Sequence, residues 1–212
     1  NFMAGALFNF HKNWDFSVNT GTSFRLPTAI ELCANGIHHG SFRHERGDPN
    51  LNPEKGYVLD TKLNYRKNAL RASVSPYLYY FENYIFLNPS GQFSILPHAG
   101  QIYQFTQSEA LLTGIEFDFN TVFAEKWHTQ FTFEYLYNRQ VTKDRSRNFP
   151  LPFTPPVNGF LEIGYEFLQE SNTFNNTEVF ANSAFAFEQD RIAQNEEITP
   201  GYQIFGGGIR TN

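Results

Sequence analysis

Apolar and polar residues alternate along most of this chain with a period of two. Between 131 and 138 every odd position is aromatic and most even positions are polar, and the same alternation runs through 57–65, 115–120 and 160–167. A period of two predicts β-strands with one apolar and one polar face, and no comparable stretch has helical spacing. The alternation predicts nine strands, near residues 2–10, 14–24, 57–66, 69–82, 109–120, 127–140, 157–168, 173–187 and 202–210.

The predicted strands are long, and the connections between them alternate in length. Most strands have at least nine residues, which is the length that a tilted strand needs to cross a membrane. Short connections lie at 11–13, 66–68, 121–126 and 168–172, and long ones lie at 25–56, 83–108, 141–156 and 188–201. Tight turns at one end and long loops at the other are typical of an outer-membrane β-barrel. The alternative is a large soluble all-β domain.

Composition agrees with a barrel wall and excludes several other classes of protein. Aromatic and charged residues each make up 17% of the 212 residues, the net charge is -5 and the mean hydropathy is -0.44. Such aromatic content excludes a disordered chain, and a single cysteine excludes a disulfide scaffold or a multi-cysteine zinc site. No basic block indicates nucleic-acid binding, and no apolar run is long enough for a transmembrane helix.

A barrel explains how an aromatic-rich chain is hydrophilic on average. Each strand places apolar side chains toward lipid and polar ones toward the lumen, and the sheet must close because lipid cannot pair free backbone groups. Nine is an odd number, whereas bacterial single-chain barrels have even numbers of strands, so we expect a fragment of a larger wall. Candidates for the aromatic girdles at the membrane interfaces are Phe24, Tyr57, Tyr65, Tyr84, Trp127 and Tyr137.

Several short motifs occur in an order that carries a family resemblance. A strand ends in Phe-Arg-x-Pro at 24–27, followed by Glu-Leu at 31–32, Asn-Gly-x-His at 35–38, Gly-Asp-Pro-x-Leu at 47–51 and Pro-Glu at 53–54. Further along the chain come 84–87 (YIFL), 103–107 (YQFTQ), Ala-x-x-x-Gly-x-Glu at 110–116, Pro-x-x-Pro-Pro at 152–156 and 199–202 (TPGY). Together these motifs resemble the C-terminal half of TonB-dependent outer-membrane receptors.

The resemblance implies a fold, a location and a function. It implies a 22-stranded barrel plugged by an N-terminal domain, of which residues 1–212 would supply the twelfth to the twentieth strand, with the plug and the last strands outside this sequence. It implies active uptake of an iron chelate, haem or another metal ligand across the outer membrane of a Gram-negative bacterium. The partners would be that cargo, the TonB complex through the plug, and membrane lipid, with no nucleic acid and no resident cofactor.

Loop 25–56 concentrates the residues that suit metal or haem binding. It contains His38, His39, His44 and Glu45 within a few residues, and imidazole and carboxylate are ligands for zinc, iron or nickel. Their spacing matches no known metal motif, and adjacent histidines on an extended strand point to opposite faces. Two interpretations stay open, ligand binding and hydrogen bonding within the loop. We interpret Cys33 in the same loop as a small buried or loop residue and not as a redox site.

Two further sets of residues are candidates for binding. The resemblance implies that Arg25 and Glu31, where a strand meets loop 25–56, contact the plug; a local ion pair is the alternative. Loop 83–108 contains no Asp, Glu, Lys or Arg, and it includes Tyr84 and Tyr103. Its aromatic residues could hold an aromatic or apolar ligand, or could pack on neighbouring loops.

No catalytic motif is present in the sequence. It lacks a Gly-x-Ser-x-Gly elbow, a His-Glu-x-x-His motif and a phosphate loop, so we expect a protein that is not an enzyme, although an outer-membrane hydrolase with serine and histidine in its wall stays open. Two further functions are alternatives to active uptake. One is a passive porin or a smaller self-contained barrel, and the other is a soluble all-β binding module.

Overall fold

Eleven β-strands, one α-helix and a short 3-10 helix form the regular structure of residues 1–168 and 176–211, the part of the chain that the computed structural model describes. The strands are β1 (Phe2–His11), β2 (Trp14–Arg25), β3 (Asn35–His38), β4 (Arg43–Arg46), β5 (Glu54–Lys67), β6 (Leu70–Phe93), β7 (Gln101–Phe123), β8 (Trp127–Val141), β9 (Asn158–Leu168), β10 (Thr177–Ala186) and β11 (Tyr202–Arg210). Helix α1 spans Ala29–Cys33, and the 3-10 helix spans Arg145–Arg147. No helix among these residues is long and apolar enough to cross a membrane.

Nine of the strands form one antiparallel meander, which we call the wall. Its order is β1-β2-β5-β6-β7-β8-β9-β10-β11, so the prediction of nine sequential antiparallel strands is confirmed. The sheet is open, since β1 and β11 do not pair with each other among the described residues. Most predicted strand ends differ from the observed ones by only a few residues. The start of the predicted strand 173–187 and most of the short connection 168–172 lie outside the described residues.

The register of the wall separates apolar and polar side chains onto two faces. Phe117 of β7 lies opposite Val74 of β6 and Phe133 of β8, on what we call the apolar face. The next residue, Asp118, lies opposite Ser73 on the polar face, and the Ser73 hydroxyl lies 3.2 Å from its carboxylate. Because every wall strand alternates in this way, each face is continuous across the sheet.

The wall has no interior core, since both of its faces are open. Many large apolar side chains are exposed, among them Phe8, Leu59, Ile163 and Phe167 on wall strands. The few buried apolar residues lie mostly at the end of the wall that carries the long connections, and they are Leu51, Ile85, Pro89, Ile102, Ala110, Leu151, Ala186 and Ala193. An apolar surface of this extent would not be stable in water, and it suits contact with lipid.

The predicted loop 83–108 is mostly strand, which corrects the expectation of a long irregular connection. β6 has 24 residues and β7 has 23, and they continue to pair from Tyr84 opposite Ser108 as far as Phe93 opposite Gln101. Continued pairing gives hydrogen-bond partners to backbone N–H and C=O groups that an irregular loop would leave without them. Irregular register between Phe81 and Tyr84 marks a bulge. Tyr84 therefore lies within a strand and not at a strand end, as the girdle assignment assumed.

Loop 25–56 also contains regular structure that the alternation did not predict. Thr28 begins α1 with a capping box, because its hydroxyl accepts from the Glu31 amide while the Glu31 carboxylate accepts from the Thr28 amide. The chain then forms the β3–β4 hairpin. β4 pairs in parallel with the part of β7 that extends beyond β8, with His44 opposite Ile102. The loop is thereby fixed to the free edge of β7.

Candidate functional site

The four long connections meet at one end of the wall, which we call the long-loop end. The amide of Gly100, at the tip between β6 and β7, donates to the Phe42 carbonyl at 2.6 Å. The Asn195 amide group lies 3.1 Å from the Pro89 carbonyl, and the Phe153 amide donates to Glu196 at 2.7 Å. These bonds connect all four segments, so any site at this end is assembled from several loops.

His44 is a buried member of this network. Its Nδ1 lies 2.9 Å from the Ser94 hydroxyl, and its Nε2 lies 3.0 Å from the Asn35 side-chain oxygen. Both ring nitrogens are therefore engaged, which is the hydrogen-bonding geometry of a structural histidine.

The other two histidines of this loop do not converge with His44. His38 ends β3 with its Nδ1 3.0 Å from the Ser41 hydroxyl, and His39 is exposed in the turn that follows. The described residues contain no group of three or more His, Cys, Asp or Glu side chains that could hold a metal ion. Ligand binding by His38, His39 and His44 stays a prediction.

Glu45 and Tyr103 are brought together by an arginine. The Arg43 Nε donates to the Glu45 carboxylate at 2.7 Å. The Arg43 guanidinium lies 5.3 Å from the centre of the Tyr103 ring and 5.5 Å from that of Phe153, and the two rings stack at 6.0 Å. We call these four residues the Arg43 clamp. It joins the β3–β4 hairpin, β7 and the loop before β9 by a cation–π contact.

Arg25 and Glu31 form an ion pair at the start of loop 25–56. Arg25 Nη1 lies 2.9 and 2.8 Å from the two oxygens of Glu31, and Nη2 lies 3.2 Å from Glu54. Burial of Glu31 disfavours its charged form, but the hydrogen bonds from Arg25 and Thr28 outweigh that effect and lower the pKa of its carboxyl. Contact of this pair with a plug stays a prediction.

Tyr84 lies beside the same cluster, within a row of aromatic rings. Its ring centre is 5.1 Å from that of Phe81 and 6.3 Å from that of Phe86. No hydrogen bond or ring contact joins Tyr84 to Tyr103 or His44 among the described residues.

An open cavity at the long-loop end contains residues that the sequence analysis did not single out. Its volume is about 560 Å³, and it lies between β6, β7 and the segments that follow β8 and Ala186. Its lining is two phenylalanines, one arginine and seven neutral polar residues, namely Phe86, Asn88, Thr106, Gln107, Gln140, Thr142, Ser146, Arg147, Phe149 and Gln194. Aromatic faces, amide groups and one guanidinium suit a bulky anion with aromatic groups.

Four of these lining residues, Phe86, Asn88, Thr106 and Gln107, belong to 83–108, which the sequence marked for ligand binding. The others come from the end of β8 and from the connections 141–156 and 188–201, and alternation says nothing about how such connections fold. The lack of Asp, Glu, Lys and Arg in 83–108 was the one signal available, since it predicted that this segment would add no carboxylate, ammonium or guanidinium group to a binding site.

A second open cavity, of about 860 Å³, lies on the polar face toward the short turns. His128 there has its Nε2 3.6 Å from Glu166 and 3.7 Å from Glu178. Arg210 lies 2.8 Å from Glu178 and 3.0 Å from Glu162. In the sequence these side chains occupy the polar positions of strands in which apolar and polar residues alternate. The period of two therefore predicts which face of the sheet they lie on, but not which ion pairs they form.

Comparison with known proteins identifies the family of this wall. The family model described as TonB dependent receptor-like, beta-barrel, matches residues 1–211. None of the curated proteins compared with the chain matches it.

Solved structures share the fold. The copper transporter OprC matches with a TM-score of 0.76 at 18% identity, over 96% of this chain and 30% of that one. The siderophore receptor PirA from Pseudomonas aeruginosa matches with a TM-score of 0.63 at 13% identity, over 98% of this chain and 32% of that one. A mutant of the ferric enterobactin receptor PfeA from Pseudomonas aeruginosa matches with a TM-score of 0.66 at 14% identity, over 97% of this chain and 31% of that one.

The chain thus spans about a third of the length of these structures. The two-faced wall, the long connections at one end and the family match over almost the whole sequence agree with one another. The chain belongs to the β-barrel family of TonB-dependent receptors.

Proposed function

We propose that this chain is the C-terminal part of the barrel of an outer-membrane receptor that takes up a metal chelate or metal ion. The observation that carries the proposal is the cavity lined by Phe86, Phe149 and Arg147 at the end where all the long connections meet. In a barrel of this family that end faces the cell exterior. The cargo would bind there before it passes through the lumen.

The lining of the cavity favours a bulky anionic chelate as cargo. Arg147 is the one charged residue in the lining, and its side chain is 77% exposed and therefore accessible. Around it are aromatic rings and neutral amides, which can stack on or donate to ligand oxygen atoms. Siderophore receptors among the structural neighbours support this class of cargo. The copper transporter supports a metal ion as the alternative.

Energy for uptake would reach the barrel through the plug and the TonB complex. Arg25 and Glu31 would contact the plug, since they lie where β2 ends on the polar face. Glu54 shares Arg25 with Glu31, so a plug residue that approached one of these groups would affect all three. A passive porin, in contrast, would transport without an energy source.

The test uses the full-length protein that contains this chain, expressed in cells and supplied with a radiolabelled ferric chelate. Uptake is expected in cells that have the TonB complex and is expected to disappear in cells that lack it. Uptake that continues without TonB would support a porin. Recovery of the native protein from the soluble periplasmic fraction would contradict a membrane receptor altogether.

Two arginine variants test the cavity itself. Arg147→Gln is expected to weaken binding of an anionic ferric chelate about tenfold, because a charge-assisted hydrogen bond contributes about 1.5–3 kcal/mol before solvent screening. Arg145→Gln is the matched control, since Arg145 belongs to the same 3-10 helix but does not line the cavity. Equal loss of binding in both variants would contradict the cavity as the binding site.

A further inference from the structure

One edge of β7 has a gap in its pairing at the long-loop end. Residues 103 and 104 of β7 pair with β6 and with β4 at once, so β4 lies on the edge that β6 leaves open, which is also the edge of β8. On that edge β4 covers 102–104 and β8 covers 109–123. No strand of 1–168 or 176–211 pairs with the four residues in between, 105–108, which we call the edge gap.

The gap exists because β8 ends early. Val141, the last residue of β8, lies opposite Glu109, so a straight continuation of β8 would pair with 105–108. The chain instead turns at Thr142, whose amide donates to the Asn148 side chain at 2.8 Å and whose hydroxyl donates to the Asp144 carbonyl at 2.6 Å. These hydrogen bonds close the connection on itself, so it does not cover the edge of β7.

The edge gap offers backbone groups for hydrogen bonding. In a strand the N–H and C=O of one residue point to the same side and those of the next residue to the opposite side. Two of the four residues therefore direct both groups into the gap. Among the described residues, the one side-chain contact to these backbone groups is that of the Gln104 amide group, 3.3 Å from the Phe105 carbonyl. Unpaired groups on a strand edge are a template for another extended chain.

The cavity of about 560 Å³ at the long-loop end runs across this edge. Thr106 and Gln107 both line it, although neighbouring residues of a strand direct their side chains to opposite faces. The Gln107 side chain is itself engaged, because it accepts from the Asn52 amide at 2.6 Å and donates to the Asn83 side chain at 3.1 Å. The cavity therefore borders the edge of β7 and not only one face of the sheet.

We propose that the cargo includes an extended peptide segment, which pairs with the edge gap as an added strand. This inference rests on the proposed uptake function and narrows its cargo to a metal chelate with a peptide part. Four residues of strand span about 13 Å, so a segment of about four residues fills the gap. Its backbone donates to and accepts from the groups that β8 leaves unpaired.

The lining of the cavity suits the side chains of such a segment. Alternate side chains of an added strand enter pockets on either side of it. Phe86 and Phe149 provide apolar contact, and the exposed Arg147 can bind a carboxylate. A peptide segment that ends in a free carboxylate therefore matches both the backbone groups and the one cation of the cavity.

The test measures the binding of three ferric trihydroxamate probes to the purified full-length receptor that contains this chain. The first probe carries a tetrapeptide arm that ends in a carboxylate, the second carries the same arm with N-methylated amides, and the third carries an alkyl arm of equal length with the same carboxylate. The first is expected to bind about tenfold more tightly than the other two, because only it can donate backbone hydrogen bonds to the edge gap. Titration calorimetry gives the three dissociation constants.

Two proline substitutions test the protein side of the contact. Thr106→Pro and Gln107→Pro each remove one backbone N–H, of which one points into the gap and the other toward β6. The variant that loses the N–H in the gap is expected to fold and to lose the preference for the peptide arm, whereas the other should lower the yield of folded barrel. Ile95→Pro, in the exposed connection between β6 and β7, is the control and should keep the preference.

Three results would overturn the inference. The first is equal affinity for the peptide arm and its N-methylated form, and the second is failure of all three probes to bind. The third is an unchanged preference in every proline variant that folds; if neither Thr106→Pro nor Gln107→Pro folds, the N-methylated probe on the wild type decides. The proposed function fails by a different result, namely uptake that does not need TonB, so the two are tested separately.

Discussion

Both carboxylate oxygens of Glu31 lie within hydrogen-bond distance of one nitrogen of Arg25, at 2.9 and 2.8 Å. This contact ties the end of β2 to the first turn of α1, where Glu31 also accepts from the Thr28 amide at 2.7 Å. One carboxylate therefore closes the capping box and holds the strand end. The start of loop 25–56 depends on this residue more than on any hydrophobic contact of α1, since α1 has no buried residue.

Replacement of that carboxylate should loosen the start of the loop. Glu31→Gln is expected to destabilise the local structure by about 1 kcal/mol, because it removes a charge-assisted bond that is partly screened by solvent. The measurement is hydrogen exchange of the amides of 28–34 in the full-length protein, which should become faster. Asp144→Asn is the control, since Asp144 is exposed and belongs to another connection. Unchanged exchange in Glu31→Gln would contradict this role of the ion pair.

The same residue predicts a dependence on pH. Since folding lowers the pKa of Glu31, its contribution to stability is complete above the ordinary carboxyl pKa of about 4.3 and is lost as the pH falls through the lowered value. After correction for the pH dependence of exchange at unprotected amides, hydrogen exchange of 28–34 should therefore become faster below about pH 4. Glu31→Gln should not show this extra acceleration. If it did, the titration of another group would be responsible for the effect.

The Arg43 clamp predicts a difference between two substitutions of one tyrosine. Tyr103→Ala removes the ring beneath the guanidinium and is expected to cost about 1 kcal/mol of loop stability. Tyr103→Phe keeps the ring and should resemble the wild type. Limited proteolysis within 38–46 measures the effect, and equal sensitivity of the two variants would show that the ring does not hold the hairpin.

His44 distinguishes a hydrogen-bonding residue from a metal ligand. His44→Ala leaves Ser94 and Asn35 without their partner and is expected to destabilise the long-loop end by about 1–3 kcal/mol. Treatment of the wild type with a metal chelator should leave its thermal unfolding unchanged. A chelator that lowered the unfolding temperature of the wild type, but not of His44→Ala, would instead identify His44 as a ligand.

The sequence predicted the wall well because its information is local. A period of two determines which face Asp118 or Phe117 occupies, and tight turns determine which strands are neighbours. The long-loop end was predicted poorly because its contacts join distant residues. Nothing near His44 in the sequence indicates Ser94 as its partner, and nothing near Arg43 indicates that Phe153 will stack beneath it. The extension of β6 and β7 was missed because aromatic residues without charges suit a loop and a strand equally.

Close approach at Gly114 gives the last prediction. A Cβ at this position of β7 would lie 2.3 Å from the Tyr77 hydroxyl and 2.5 Å from the Tyr135 carbonyl oxygen. Gly114→Ala is therefore expected to impair assembly of the wall, because the Tyr135 carbonyl belongs to the paired backbone of β8 and cannot move aside.

The matched control is Gly36→Ala in β3, where a Cβ would meet nothing within 4 Å. The yield of folded barrel, read from heat-modifiable migration in electrophoresis, should fall for Gly114→Ala and stay normal for Gly36→Ala. Adding Tyr77→Phe to Gly114→Ala removes the hydroxyl contact but leaves two contacts at 2.5 Å, one with the ring carbon Cζ of residue 77 and one with the Tyr135 carbonyl oxygen, so recovery should be incomplete. Full recovery in that double variant would mean that the tyrosine hydroxyl, and not the backbone of β8, is what requires a glycine at 114.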